Sequence, residues 1–189
     1  MRVEALSSFL HGYQSEEAEF LVEGFREGFK IPARAFECNA YRGNHPSVLK
    51  HADIVDEMLQ REINLGRVCG PFLYPPFDNF HLSPLAIIPK QESGKYRLIH
   101  NLSFPEGLSV NAAISKESTA VTYESLDSAL EWVIAYGRNS LIAKADIEEA
   151  YRIIPIHPES FHLLGFTWRN CWYFDKFLPF GLSHSCQLF

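Results

Sequence analysis

A chain of 189 residues, with 47% hydrophobic and 14% aromatic side chains, is long enough for a domain and core of its own, or a domain plus a fragment. That composition excludes disorder over most of its length. With 17 Lys and Arg against 23 Asp and Glu, the formal net charge is -6, which excludes nonspecific attraction of the whole surface to nucleic acid and leaves only a local basic face. No apolar run approaches the roughly 18 to 20 residues needed to span a bilayer, and Glu4 interrupts the only apolar start that could serve as a secretory signal. Cys38, Cys69, Cys171 and Cys186 show no C-x-x-C spacing and read as reduced thiols of an intracellular protein, cytoplasmic or nuclear. The histidine pairs His45 and His51 and His157 and His162, and His184 with Cys186, fit no common zinc spacing.

In chain order, Ser15 followed by Glu16, Glu17 and Glu19 predicts a helix N-terminus. Ala18, Leu21, Val22 and Phe25 form its apolar stripe and Gly28 its end. Residues 32–44 carry no period and read as a connector. Pro46 predicts the first turn of a longer helix, with Val48, Leu49, Ile54, Val55, Met58, Leu59 and Ile63 on its apolar side and Gly66 at its end. The prolines of Gly70-Pro71-Phe72 and Tyr74-Pro75-Pro76-Phe77 then require an extended, turn-rich passage.

Residues 83–102 read as a β-hairpin turning at Ser93-Gly94. A two-residue loop would set Glu92 against Lys95, Gln91 against Tyr96 and Lys90 against Arg97, with Lys90, Glu92, Lys95 and Arg97 on one face. Two cations directly opposite one another are unfavourable unless an anion neutralises them, which points to a phosphate. The alternative is a hairpin guarded by solubilising charges.

Thr122 and Glu124 open a third amphipathic helix, with Leu126, Ala129, Leu130, Val133 and Ile134 on one face and Gly137 at its end. The apolar run 141–145 reads as a strand that delivers Asp146 at its end, and residues 148–151 as one helical turn. Asp146 is then either the N-cap of that turn, with Glu149 three residues on, or a carboxylate fixed well enough to hold Mg²⁺ with substrate phosphates. Helix followed by strand indicates an α+β fold. Residues 163–168 and 171–177 flank Arg169-Asn170 as a second hairpin whose aromatics read as core. Leu178-Pro-Phe-Gly181 follows, either a simple Pro-Gly turn or a place where the absent Cβ lets backbone approach closely.

Taken together these stretches resemble reverse transcriptases. Asp146-x-x-x-Ala-Tyr151 followed by Ile-Pro-Ile-His-Pro resembles the family's first catalytic motif, Lys-Tyr-Arg97 its fingertip hairpin, Arg97-Leu-Ile-His-Asn-Leu-Ser with Asn111 the motif after it, and Leu178-Pro-Phe180-Gly181 its second palm motif. The resemblance runs from about residue 83 to residue 189. It implies Asp146 as the catalytic ligand of two Mg²⁺ ions, Lys90 and Arg97 on the triphosphate of the incoming nucleotide, Tyr151 as the wall that excludes a ribose 2′-hydroxyl, and Phe180 and Gly181 beside the template and nascent base pair. Asn101 stands where the family has aspartate, and Ser103 where it has arginine, so any contact made by that arginine has no counterpart here. The wording around Leu-Ser-Phe-Pro and Ser-Val-Asn is most similar to retrotransposons that encode a tyrosine recombinase, or to gypsy-like ones.

The expected architecture is therefore the fingers and an incomplete palm of a right-hand polymerase, interleaved over 46–189 after an N-terminal helix and connector over 1–45. The implied partners are an RNA or DNA template with its primer and deoxynucleoside triphosphates. Two-metal phosphoryl transfer needs carboxylates from more than one strand. The sequence has no Asp-Asp pair and no acidic residue after Asp175, so a fragment is expected, inactive alone and lacking the remaining palm, thumb and ribonuclease H regions. A noncatalytic remnant or domesticated module that binds nucleic acid or protein is the alternative.

Overall fold

The computed structural model describes residues 2–35, 43–90 and 94–189. The connector's residues 36–42, with Cys38, and the hairpin tip 91–93 lie outside the described residues. The architecture is mixed: six α-helices, a three-stranded antiparallel sheet and a separate two-stranded hairpin among those residues.

Helix α1 (Val3–Phe9), which has no buried residue and no period strong enough to predict it, leans on α2 (Ser15–Glu27). The end of α2 follows expectation, with Gly28 at φ 94°. A Cβ at Gly28 would lie 2.4 Å from backbone atoms of Ile156 and His157, so the absent side chain lets the exit of α2 lie against that strand-like segment. There Phe29 N–H donates to the Pro155 carbonyl and His157 N–H to that of Phe29.

The single helix expected from Pro46 is two, α3 (Pro46–Lys50) and α4 (Ala52–Asn64), broken at His51 with φ -128°. The break has a visible cause. Strand β2 (Leu85–Pro89) pairs only with β3 (Tyr96–His100) among the described strands, and α3 with the residue Asn44 before it covers its other edge: Leu85 N–H donates to Asn44 Oδ1 and Ile87 N–H to Ser47 Oγ. Those side chains satisfy amides that an edge strand would leave open. Helix α4 diverges from α3 so that Val55 and Leu59 are buried with Val68, Phe166 and Tyr173.

Strand β1 (Val68–Phe72) follows the Gly66 turn and pairs with β5 (Cys171–Asp175), which also pairs with β4 (Gly165–Trp168). The β4–β5 turn is where expected, with Arg169 and Asn170 at φ 47° and 61°, the conformation that suits the twist of a two-residue hairpin. The β2–β3 register corrects the sequence reading. Arg97 pairs with Ile88, not Lys90, and Lys90 N–H bonds the Lys95 carbonyl. A shift of two residues leaves every side chain on the same face, so alternation could not distinguish the registers. Lys90, Lys95 and Arg97 still share the outer face, with Lys90 and Arg97 now diagonal.

The third helix, α5 (Leu126–Tyr136), starts one turn later than expected, capped by Ser125 Oγ accepting from Ser128 N–H, and none of its residues is buried. Its expected apolar stripe stays in solvent, with Leu126 76% and Ile134 79% exposed. The strand expected over 141–145 does not form either, and Leu141 is 99% exposed. A strand exists only through a neighbour's ladder, and no described strand pairs with this segment.

Two buried clusters hold the molecule. One gathers Phe29, Ile31, Leu102, Ile154, Leu164 and Leu178, and the other joins α3 and α4 to the sheet and to β2 through Val48, Val55, Leu85, Ile87 and Phe166.

Candidate nucleotide site

Four of the expected site residues converge although they come from three separate stretches of chain. Strand β3 sets Arg97 on its outer face, where the guanidinium carbon lies 5.1 Å from the centre of the Phe180 ring. That ring is 5.6 Å from Tyr151, and Tyr151 is 6.0 Å, edge-on, from Phe189. A guanidinium over an aromatic face is attracted by the ring's quadrupole while its N–H edge stays open to an anion.

The turn that carries Phe180 and Gly181 is satisfied carbonyl by carbonyl. Arg152 Nη1 donates to the carbonyls of Phe177 and Leu178, Ser185 Oγ to that of Pro179, His100 N–H to that of Phe180, and Asn111 Nδ2 to that of Gly181, while Asn111 Oδ1 accepts from Ser183 N–H. Gly181 has φ 126°, and a Cβ there would lie 1.9 Å from the His100 carbonyl oxygen. Of the two readings of this Pro-Gly stretch, close backbone approach is the one observed, with β3 as the neighbour.

Tyr151 stands on a 3-10 turn, Ala150–Ile153. Its hydroxyl lies 3.0 Å from Cys186 Sγ; that contact and burial push the phenol up to about 12. At neutral pH the phenol is uncharged.

Asp146 and Lys90 are not part of this contact set. Asp146 is exposed on the irregular segment before the 3-10 turn. It is not the N-cap of that turn either: Glu149 holds the position, at φ 52°, without a side-chain cap. A cap must lie next to the first turn to reach its amides, and the turn begins too late for Asp146. The carboxylate of Glu149 is engaged elsewhere, 2.5 Å from Arg67 and 2.9 Å from Arg61. Burial pushes that carboxyl up, and the two guanidiniums outweigh burial and hold it below the usual range. No group of three or more His, Cys, Asp or Glu side chains placed to hold a metal occurs among the described residues. Asp146 therefore belongs to no such group among the described residues. Lys90 is exposed at the end of β2. Cys69, Cys171 and Cys186 are free thiols. A cavity of about 940 Å³, lined among others by Lys30, Arg34, Phe80 and His162, includes none of the expected residues.

Beneath the ring cluster lies an ionic network that sequence reasoning missed. Arg152, 7% exposed, donates from Nε and Nη2 to Glu62 Oε2 at 2.9 and 2.6 Å and from Nη1 to Asp175 Oδ1 at 2.7 Å. The other Asp175 oxygen meets His100 Nδ1 at 2.9 Å, and His100 Nε2 faces the Gly165 carbonyl at 3.1 Å. Burial raises the Asp175 carboxyl, but Arg152 and His100 outweigh it and hold it below the usual carboxylate range. One signal was available: Arg152 sits in an apolar Ile-Ile-Pro-Ile setting and Asp175 at the end of an aromatic strand, and charges in such runs are buried only when paired.

His81 shapes the acid response. Burial, then the fields of His100 and His162, depress it from 6.5 to about 4. A base with a lowered folded value favours folding above its unfolded value, and that contribution is lost as pH falls from about 6.5 to about 4. The low Asp175 value acts in the same direction below about 4. Thermal denaturation should therefore show stability falling by on the order of 2 kcal/mol between pH 7 and pH 4, after allowance for solvent screening around His81. A flat profile would contradict it.

No helix among the described residues is long and apolar enough to cross a membrane. No family model matches the chain, and no curated protein matches it. Solved structures do. A prototype foamy virus protease-reverse transcriptase mutant matches 98% of the chain with a TM-score of 0.57 at 16% identity. A foamy viral protease-reverse transcriptase in complex with double-stranded DNA matches 100% with a TM-score of 0.55 at 16% identity. The same type of enzyme in complex with an RNA/DNA hybrid matches 98% with a TM-score of 0.53 at 14% identity. The chain spans only 25% to 40% of those proteins' lengths. The likeness extends past the motif-bearing part into the N-terminal helices, and the fold of this chain resembles, over its whole length, that of these reverse-transcriptase structures.

Proposed function

We propose that this chain is the fingers and part of the palm of an RNA-directed DNA polymerase of a retrotransposon, of the tyrosine-recombinase-encoding or gypsy-like type. Residues 46–189 form the polymerase part, after an N-terminal helix and connector over 1–45. The observation that carries the proposal is the convergence of Arg97, Phe180 and Tyr151 within ring-contact distance, with Gly181 on the turn beneath.

In this reading the incoming deoxynucleotide lies with its sugar against Tyr151. There the ring would stand against a ribose 2′-hydroxyl and, being uncharged, would give it no ionised partner. Arg97 supplies N–H donors to the triphosphate, and Lys90, diagonal to it on the same outer face, adds a second cation. Phe180 and Gly181 border the template and nascent base pair. Asp146 contributes one carboxylate to Mg²⁺, which when bound neutralises phosphate charge. Addition to a primer 3′ end belongs to the longer polymerase. The alternative of a noncatalytic module is not favoured, because it gives the converged cluster no task.

The test is fluorescence anisotropy of a labelled primer–template at low salt. Binding is expected to weaken steeply with salt. Adding the next complementary deoxynucleoside triphosphate should tighten it, and the Lys90→Ala, Arg97→Ala double variant should abolish that tightening. No binding at low salt, or tightening retained by the double variant, contradicts the proposal.

A further inference from the structure

The ring cluster lies on the outer face of β3 and on a loop, neither of which fixes a side chain by itself. The buried groups under it do. Arg152 follows Tyr151 directly in the chain, and its Nη1 reaches the carbonyls of Phe177 at 3.2 Å and Leu178 at 3.4 Å, at the entry of the turn that carries Phe180. On the far side of that turn, His100 N–H donates to the Phe180 carbonyl at 3.0 Å. The Asp175 carboxylate joins the two, Oδ1 to Arg152 and Oδ2 to His100. One buried acid thus couples the strand bearing Arg97, the 3-10 turn bearing Tyr151 and the loop bearing Phe180.

We infer that Arg152, with Asp175 and His100, is a positioning unit that presets the Arg97–Phe180–Tyr151 platform. The inference rests on the nucleotide reading above for its functional meaning, though not for its geometry. Arg152 serves oxygens in three directions: Glu62 through Nε and Nη2, Asp175 through Nη1, and the two loop carbonyls. A planar guanidinium with five donors can do this. The ammonium of lysine, one point at the end of a flexible stem, cannot reach all of them. Arg152→Lys therefore keeps the buried charge and removes the geometry.

The experiment reads the platform directly. In the wild type, the Arg97 δ-methylene protons should resonate upfield by NMR, because Phe180 lies under the guanidinium. Arg152→Lys should move them at least halfway to their unstructured position while the overall fold, judged by circular dichroism and amide dispersion, is kept. Affinity for Mg–dATP should drop about tenfold. Asp56→Asn, which breaks the exposed pair with Arg169, should change neither. If Arg152→Lys does not fold, His100→Phe takes its place, since it fills the ring's volume and removes both nitrogens. A folded variant with the Arg97 resonances and the affinity unchanged overturns the inference. Resonances that move in a protein whose wild type binds no nucleotide support the positioning unit and refute the nucleotide reading, so the two failures are distinct.

Discussion

Asp175→Ala should be the most damaging single substitution in the polar interior, lowering stability by about 3–5 kcal/mol. Asp175 is 4% exposed and accepts from both Arg152 and His100. Its removal leaves a buried guanidinium with Glu62 as its remaining carboxylate partner and a buried imidazole nitrogen facing no acceptor. The loss comes mainly from groups left behind without their partner, not from the worth of the pair itself. Domains of this size are stable by roughly 5–15 kcal/mol, so the variant should unfold at markedly lower denaturant or be recovered unfolded. The exposed Asp56–Arg169 pair is the comparison. It has similar geometry in solvent, where ion pairs contribute little, and Asp56→Asn, which keeps a side-chain oxygen to accept from Trp168 Nε1, should leave the midpoint nearly unchanged. If urea unfolding placed the two variants together, the buried network would not carry the interior as described.

Gly181→Ala should be the second, with a loss of roughly 2–4 kcal/mol from positive φ and overpacking together. At φ 126° an L side chain is strained, and a Cβ would sit 1.9 Å from a backbone oxygen of His100. That oxygen cannot yield cheaply, because the His100 amide donates to the Phe180 carbonyl and its ring is held by Asp175 and Gly165. Gly107 provides the control: it has φ 76° with nothing within 4 Å of its would-be Cβ, so Gly107→Ala should show only the conformational cost, about 1–2 kcal/mol. Nucleotide affinity should fall more than tenfold in Gly181→Ala and hold in Gly107→Ala. Equal effects of the two substitutions on stability would mean that the close approach of the 181 turn to β3 is not a constraint.

How much of this could be read from residues alone differs element by element. Helix α2 and the β4–β5 hairpin follow from local chemistry, a 3.6-residue stripe ended by Gly28 and a two-residue turn that tolerates positive φ at Arg169 and Asn170. The break at His51 was not legible, because it answers the open edge of a strand over thirty residues downstream. The β2–β3 register was not legible for a different reason, since slipping by two conserves every face. The segment 141–145 has the composition of a strand and no ladder to join, a tertiary condition that no local pattern contains. Of the proposed site, Arg97, Tyr151, Phe180 and Gly181 were named through the order of the motifs, and the structure brings them close together. Asp146 and Lys90 were named by the same resemblance and lie outside the cluster's contacts. The Glu62–Arg152–Asp175–His100 network joins residues 90 and 75 positions apart, beyond the reach of any spacing argument, although its misplaced charges were visible.

On the proposed function, a deoxynucleotide seats its sugar on Tyr151 and its triphosphate on Arg97. The most direct measurement is a titration of the chain with Mg–dATP and with Mg–ATP, for wild type, Tyr151→Ala and Arg97→Ala. The wild type should prefer the deoxynucleotide, Tyr151→Ala should lose that preference while still binding, and Arg97→Ala should lose both nucleotides. Equal binding of the two nucleotides by the wild type, or binding indifferent to Arg97, would contradict the proposed function.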